Sequence, residues 1–323
     1  MTLRPRARLL PALLLILSAL SCPAAFAAPV TVQHAQGSTV VEQVPTRVAV
    51  YDLAALDILD ALGVEVAGVP ATRMPAGLSG YDDARYAKIG SLFEPDLEAL
   101  RALAPDLVIV GGRSAKKYAG LQTIAPTLDL GAGRDAFASD IVATTLALGR
   151  VFGRDAEASR LAGRLLASRA ELAARMGDTR GLVLFVVGGR ATVHAPGERF
   201  GIFHDLALLP SVLPAVAGEE AEGPRPAQGS PEAQQARARA GQRLAEALAA
   251  DPDWLIVLDR GAATGGEAQA RQVLEALPAV TASKAWRSGQ VVMLDPPTWY
   301  LAPGGIRPAQ ALLDELLARL PPR

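Results

Sequence analysis

A single cysteine, Cys22, stands in a chain of 323 residues. No intramolecular disulfide framework is therefore possible, and stability has to come from packed cores. Imidazole is nearly as scarce: His34, His194 and His204 are the three histidines. Scattered this widely, they do not supply the three or four converging ligands that a bare zinc or manganese site requires. His194 reads as a strand residue and His204, beside Asp205, as the start of a helix; His34 reads as solvated. An excess of charge is also missing, since 32 basic residues face 33 acidic ones. That balance argues against broad nucleic-acid binding, which needs a basic surface. The apolar run Leu9–Leu20 is too short for a membrane span.

That run has another reading. Arg4, Arg6 and Arg8 precede it and "AFA" at Ala25–Ala27 follows it, the order of a secretory signal. Residues 1–27 are expected to be removed, leaving an exported mature chain that starts at Ala28. "ALSC" (Ala19–Cys22) competes as a lipobox, in which case Cys22 would carry a lipid anchor.

Half of the residues are hydrophobic, enough for two cores of ordinary size. Short apolar bursts such as Arg47–Tyr51 and Val64–Val69 alternate with alanine- and leucine-rich runs of helical spacing. This alternation predicts an α/β fold with mainly parallel sheets covered on both faces. The alternation stops at "DAEASRLAGRLLASRAELAARM", a single helix of about 33 Å, with Arg160, Arg164, Arg169 and Arg175 on its exposed side. It resumes at "GLVLFVVGG" (Gly181–Gly189). The expectation is two Rossmann-like lobes, 28–153 and 179–323, joined by one long backbone helix, 154–178. The stretch Gly218–Gln242, poor in large apolar residues, reads as a loop or insert without a core of its own.

One unit is written twice. "DLEALRALAPDLVIVGGRS" (Asp96–Ser114) and "RLAEALAADPDWLIVLDRGAA" (Arg243–Ala263) each run helix, Pro-Asp, apolar burst, arginine. The arginine follows the aspartate by seven residues in both: Asp106 to Arg113, and Asp253 to Arg260. In open parallel sheets, ligands bind beyond the carboxyl ends of strands. Arg113 and Arg260 would then point into one cleft from two lobes. Arg199, on the Gly-flanked loop "APGERFGIFHD", is a third candidate. Guanidinium forks suit planar oxygen pairs, so the expected ligand is multiply anionic and oxygen-rich. The competing reading is that each arginine caps a helix or pairs with a surface acid.

On "VAVYDLAALDILDALGV", "IGSLFEPDLEALRALAPDLVIVGGRSA", "GERFGIFHDL", "DPDWLIVLDRGAA" and "VVMLDPPTWYLAPGG", the chain resembles the periplasmic ferric-siderophore-binding proteins of ABC importers, in their catecholate-type branch. The resemblance covers nearly all of the mature chain outside 218–242. It implies a monomeric bilobed binder with a rigid helical backbone, no intrinsic cofactor, and an iron(III)–siderophore complex as cargo, held by Arg113, Arg199 and Arg260. It also implies a tyrosine in the site, Tyr300, which stacks on or hydrogen-bonds the ligand or completes the iron shell. The histidine that some members add belongs to an "HGQ"-like motif. Here that motif reads "RAGQ", with Ala240 in its place, which favours a hexadentate chelate that saturates its own iron. Docking to a permease in the inner membrane would use one acid per lobe, Glu98 and Glu246.

Other classes have weaker support. Gly131, Gly133 and Ala136 make a lone G-x-G-x-x-A before a helix, late in the lobe, and no nucleophile stands beside a base. Asp57 and Asp60 fall on one helix face, expected to be solvated. Haem or cobalamin on the same fold stays open, with Tyr300, Tyr51 or Tyr118 as axial candidates for haem.

Overall fold

The computed structural model describes residues 28–216, 227 and 229–321. The expected leader and Cys22 lie outside the described residues, as do 218–226 and 228 of the expected insert. The chain opens with an antiparallel hairpin, β1 (Val30–His34) and β2 (Gly37–Val41). There His34 is not simply solvated: its Nε2 lies 2.8 Å from Thr39 Oγ1. Five parallel strands follow: β3 (Val48–Val50), β4 (Gly68–Val69), β5 (Ala87–Lys88), β6 (Leu107–Val110) and β7 (Thr127–Asp129), in the order β5-β4-β3-β6-β7. The second sheet holds β8 (Gly181–Val187), β9 (Arg190–His194), β10 (Trp254–Asp259) and β11 (Val291–Met293), in the order β11-β10-β8-β9. Only its edge strand β9 is antiparallel. The central strands β3, β6 and β10 are buried along their whole length, as strands covered on both faces must be.

Helix Asp155–Met176 links the two sheets. It packs between helices Phe137–Val151 and Ile306–Arg319, and its Leu165 and Leu172 join Val50, Phe203, Ile256 and Leu313 in one continuous core. Arg169 departs from the expected exposed face. It is largely buried and donates to the carbonyls of Leu206 and Asp205 at 3.3 and 2.9 Å.

The duplicated unit has a structural basis at its aspartates. Asp106 accepts hydrogen bonds from the backbone N–H groups of Thr46 (2.7 Å) and Arg47 (2.9 Å), ahead of β3. Asp253 accepts from Arg180 N–H (2.8 Å), ahead of β8. Each aspartate thus ties the entry of one strand to the neighbouring parallel strand. The residue before each Pro-Asp, Ala104 or Asp251, takes the left-handed conformation with φ near 48°. The arginines stand at the other ends of the two strands.

Two expectations are corrected. Residues 231–242 of the expected insert are helical, within Pro231–Ala249. Ser230 Oγ accepts from Ala233 N–H at 3.1 Å and Pro231 starts the first turn, the usual signals of a helix entry. Alanine, glutamine and arginine then carry the helix by intrinsic propensity, with Leu244, Ala247 and Leu248 buried. Asp57 is not solvated: it is 3% exposed and meets Arg307, from the helix Ile306–Arg319, at 2.7 Å. Burial pushes its carboxyl up, and the Arg307 guanidinium offsets part of that. Asp60 also pairs with Arg307, at 2.6 Å.

Candidate ligand-binding cleft

Tyr300, in the helix Pro296–Leu301 of the second sheet's half, lies where Arg113 of the first half meets that helix. Three guanidinium groups surround its ring: Arg113 at 5.3 Å, Arg199 at 5.4 Å and Arg260 at 5.9 Å from the ring centroid. One comes from the first sheet and two from the second. The four residues singled out in the sequence are therefore brought together in space.

Each is presented differently. Arg113 follows β6 after Gly112, whose φ of 48° turns the chain. Its Nη2 donates to the Tyr300 carbonyl at 2.5 Å and its Nη1 to the Leu301 carbonyl at 3.2 Å. It therefore caps the carboxyl end of a helix in the opposite half, so for this arginine the capping role holds together with its place in the cluster. Arg260 starts a short helix after β10. Asp259 fixes that turn by accepting from the N–H groups of Ala262, Gln269 and Ala270. Arg260 Nε donates to the Tyr300 hydroxyl at 3.3 Å. Arg199 is exposed on its loop. The base of that loop is pinned by Glu198, which accepts from Ala195 N–H and pairs with Arg243 at 2.6 Å.

The electrostatics are one-sided. Among the described residues, none of the three arginines forms a salt bridge, whereas other arginines of the chain do. Burial and the nearby Arg199 charge weaken Arg113's hold on its proton, while Tyr300 and Asp52 strengthen it. Burial alone would push the Tyr300 phenol up; the Arg260 hydrogen bond and the three positive charges outweigh it and hold the phenol below its ordinary value. Burial likewise pushes the Asp52 carboxyl up, although it caps the helix Leu53–Ala61 and faces Arg113.

Sequence reasoning missed other residues beside the cluster. Arg134 Nη1 reaches the Gly197 carbonyl at 3.5 Å, so it borders the Arg199 loop from the first half. Arg73 lies against the turn after Arg260: a Cβ on Gly265 would stand 3.4 Å from its Nη1. Neither lies in the duplicated unit, the one signal that singled out its neighbours. Phe185 and Phe200 stack at 4.6 Å, and both lie within 30° of the Tyr300 ring plane. His194 closes on that pair edge-on, and burial pushes it down to about 4. His204 is buried, its ring nitrogens facing the carbonyls of Leu209 and His194.

Ala240 is elsewhere. It lines a cavity of about 770 Å³ between β9 and the helices Pro231–Ala249 and Ala270–Glu275, which shares no residue with the arginine cluster. Tyr51 is buried and donates to the Ile89 carbonyl at 2.8 Å; Tyr118 is buried in the same core cluster. Glu98 is exposed in the first turn of the helix Leu97–Leu103, and Glu246 is exposed near the end of Pro231–Ala249. Gly131 and Gly133 lie in the loop before the helix Phe137–Val151, where Gly133 N–H is taken by Asp140 at 2.7 Å. Among the described residues, no three His, Cys, Asp or Glu side chains gather to hold a metal ion, and no helix is long and apolar enough to cross a membrane.

Residues 48–298 match the model of the family described as periplasmic binding protein. The petrobactin-binding protein YclQ of Bacillus subtilis is 30% identical over 295 residues, 89% of this chain and 87% of that protein. The ferric-anguibactin-binding protein FatB of Vibrio anguillarum is 26% identical over 299 residues, 90% of this chain and 87% of that protein. The crystal structure of VctP, a periplasmic catecholate-siderophore-binding protein of Vibrio cholerae, superimposes with a TM-score of 0.76 at 27% identity. It covers 90% of this chain and all of that one.

Proposed function

Because this chain belongs to the periplasmic binding protein family, we propose that it captures an anionic iron(III)–siderophore complex of catecholate type between its two lobes. It then delivers that complex to the permease of an ABC importer in the inner membrane. The observation that carries the reading is the gathering of Arg113, Arg199 and Arg260 around the Tyr300 ring. Three fixed positive charges without acidic partners among the described residues suit a trianionic tris-catecholate complex. The forked donors reach oxygens that a metal-saturated chelate still exposes.

On this reading the lobes are 28–153 and 179–323 with the helix 154–178 between them, and the exported chain acts as a monomer in the periplasm. Arg113, Arg199 and Arg260 bind the ligand charge, and Tyr300 offers its ring and hydroxyl. Glu98 and Glu246, both exposed, would meet basic pockets of the permease. No intrinsic cofactor is needed, and the chain carries no reaction: capture and release are the activity. A hexadentate chelate brings all six iron donors, so the protein supplies charge and shape.

Haem is the second reading, and the lowered Tyr300 phenol is what favours it, since a phenolate serves as an axial ligand to ferric iron. Calorimetric titration separates the two. The siderophore reading expects saturable sub-micromolar binding of an iron(III) tris-catecholate, with no comparable heat from haem. Tight binding of haem alone would overturn it.

A further inference from the structure

We propose that Phe93 is the residue by which the cleft prefers chelates built on aryl rings over those built on carboxylates. This rests on the siderophore reading above. Phe93 is 58% exposed, the most exposed of the chain's large apolar side chains among the described residues and the one aromatic in that group. An aromatic ring left in water forfeits the stabilisation that its burial would bring.

The loop that presents it is tightly built. Ser91 Oγ accepts from the N–H groups of Phe93 (3.2 Å) and Glu94 (3.0 Å). Gly90 bridges to Pro95 and has φ 102°; a Cβ there would stand 2.3 Å from Asp96 N. Glu94 pairs with Lys117 at 2.7 Å, which ties this loop to the one carrying Arg113. The backbone that presents the ring is therefore held in place.

Its place is the cleft. The Arg113 guanidinium lies 5.9 Å from the Phe93 ring centroid and 5.3 Å from that of Tyr300. The two rings can be no further apart than those two separations laid end to end. One guanidinium is thus within cation–π range of both rings, so an aryl ring of a ligand held by Arg113 would meet aromatic surface as well as charge. Phe93 comes from the first half and Tyr300, backed by Phe200 and Phe185, from the second. In a chain with 5% aromatic residues, Phe93 and Tyr300 share one guanidinium, and Phe200 and Phe185 stack beside Tyr300. The arginines answer the charge of any anionic ferric chelate; the ring faces answer only a ligand that has rings. A citrate complex offers the same oxygens and no face to stack.

The test compares wild type, Phe93→Ala and Phe93→Tyr, each titrated with an iron(III) tris-catecholate and with iron(III) citrate. Phe93→Ala is expected to weaken the catecholate by about fivefold or more and citrate by less than about twofold, with Phe93→Tyr restoring the catecholate. Equal losses for both chelates, no loss for either, or failure of tyrosine to restore would overturn the proposal. A wild-type protein that binds neither chelate contradicts the siderophore reading itself, and the proposal with it.

Discussion

Arg113 and Tyr300 join the two halves of the molecule at the candidate site. The guanidinium, carried beyond the end of β6, donates to the Tyr300 carbonyl at 2.5 Å and stands 5.3 Å from the same residue's ring. One side chain thus holds a helix end from across the cleft and supplies charge at its centre. Arg199 and Arg260 do the second of these without the first.

This division of labour separates the arginine variants. Arg260→Ala removes a charge and one hydrogen bond to the Tyr300 hydroxyl. It should weaken a trianionic chelate by about tenfold or more while changing a neutral hydroxamate chelate little. Arg113→Ala should lose the same charge and also release the carbonyls of Tyr300 and Leu301, so it lowers the melting temperature as well. Parallel titrations and melting curves of the two variants check both statements.

Asp57 gives a prediction about stability alone. It is buried and salt-bridged to Arg307 across the two halves. Arg307 is partly exposed, which limits the cost of stranding its charge. Asp57→Ala should destabilise by about 2–4 kcal/mol, read from urea midpoints. Chelate affinity at low temperature should stay within about twofold, because neither residue reaches the cluster.

The paired aspartates predict acid sensitivity. Partial burial pushes Asp106 and Asp253 up, but hydrogen bonds from Thr46 and Arg47 to one, and from Lys284 and Arg180 to the other, outweigh it. Both carboxyls therefore sit below their ordinary value of 3.8. A folded state that holds fewer protons than the unfolded chain keeps this stabilisation above that value and loses it as pH falls through the lowered one. The Asp106→Asn, Asp253→Asn double variant should be less stable than wild type by about 1–3 kcal/mol at pH 6. The gap should narrow as pH falls below 3.8 and close once both carboxyls are protonated in the folded state, as followed by denaturant titration across the pH range.

Much of this architecture was legible in the sequence because it rests on local signals. Buried parallel strands read as unbroken apolar bursts, and the repeated Pro-Asp unit puts Arg113 and Arg260 at equivalent strand ends. What escaped were consequences of tertiary packing. Asp57 looked like a surface acid because its partner, Arg307, is 250 residues away. Arg134 and Arg73 sit on loops without periodicity, and only the folded chain brings them beside the Arg199 loop and the turn after Arg260. The helix beginning at Pro231 was hidden by composition: small and charged residues resembled an insert, although Ser230 and Pro231 already spelled a helix start. Phe93 was readable as a residue but not as an exposed one.

The most direct measurement is an anomalous difference map from crystals of the protein grown with an iron(III) tris-catecholate. The account predicts one iron peak over the Tyr300 ring, with chelate oxygens in hydrogen-bonding reach of Arg113, Arg199 and Arg260. Iron in the cavity lined by Ala240, or bound away from all three arginines, would contradict it.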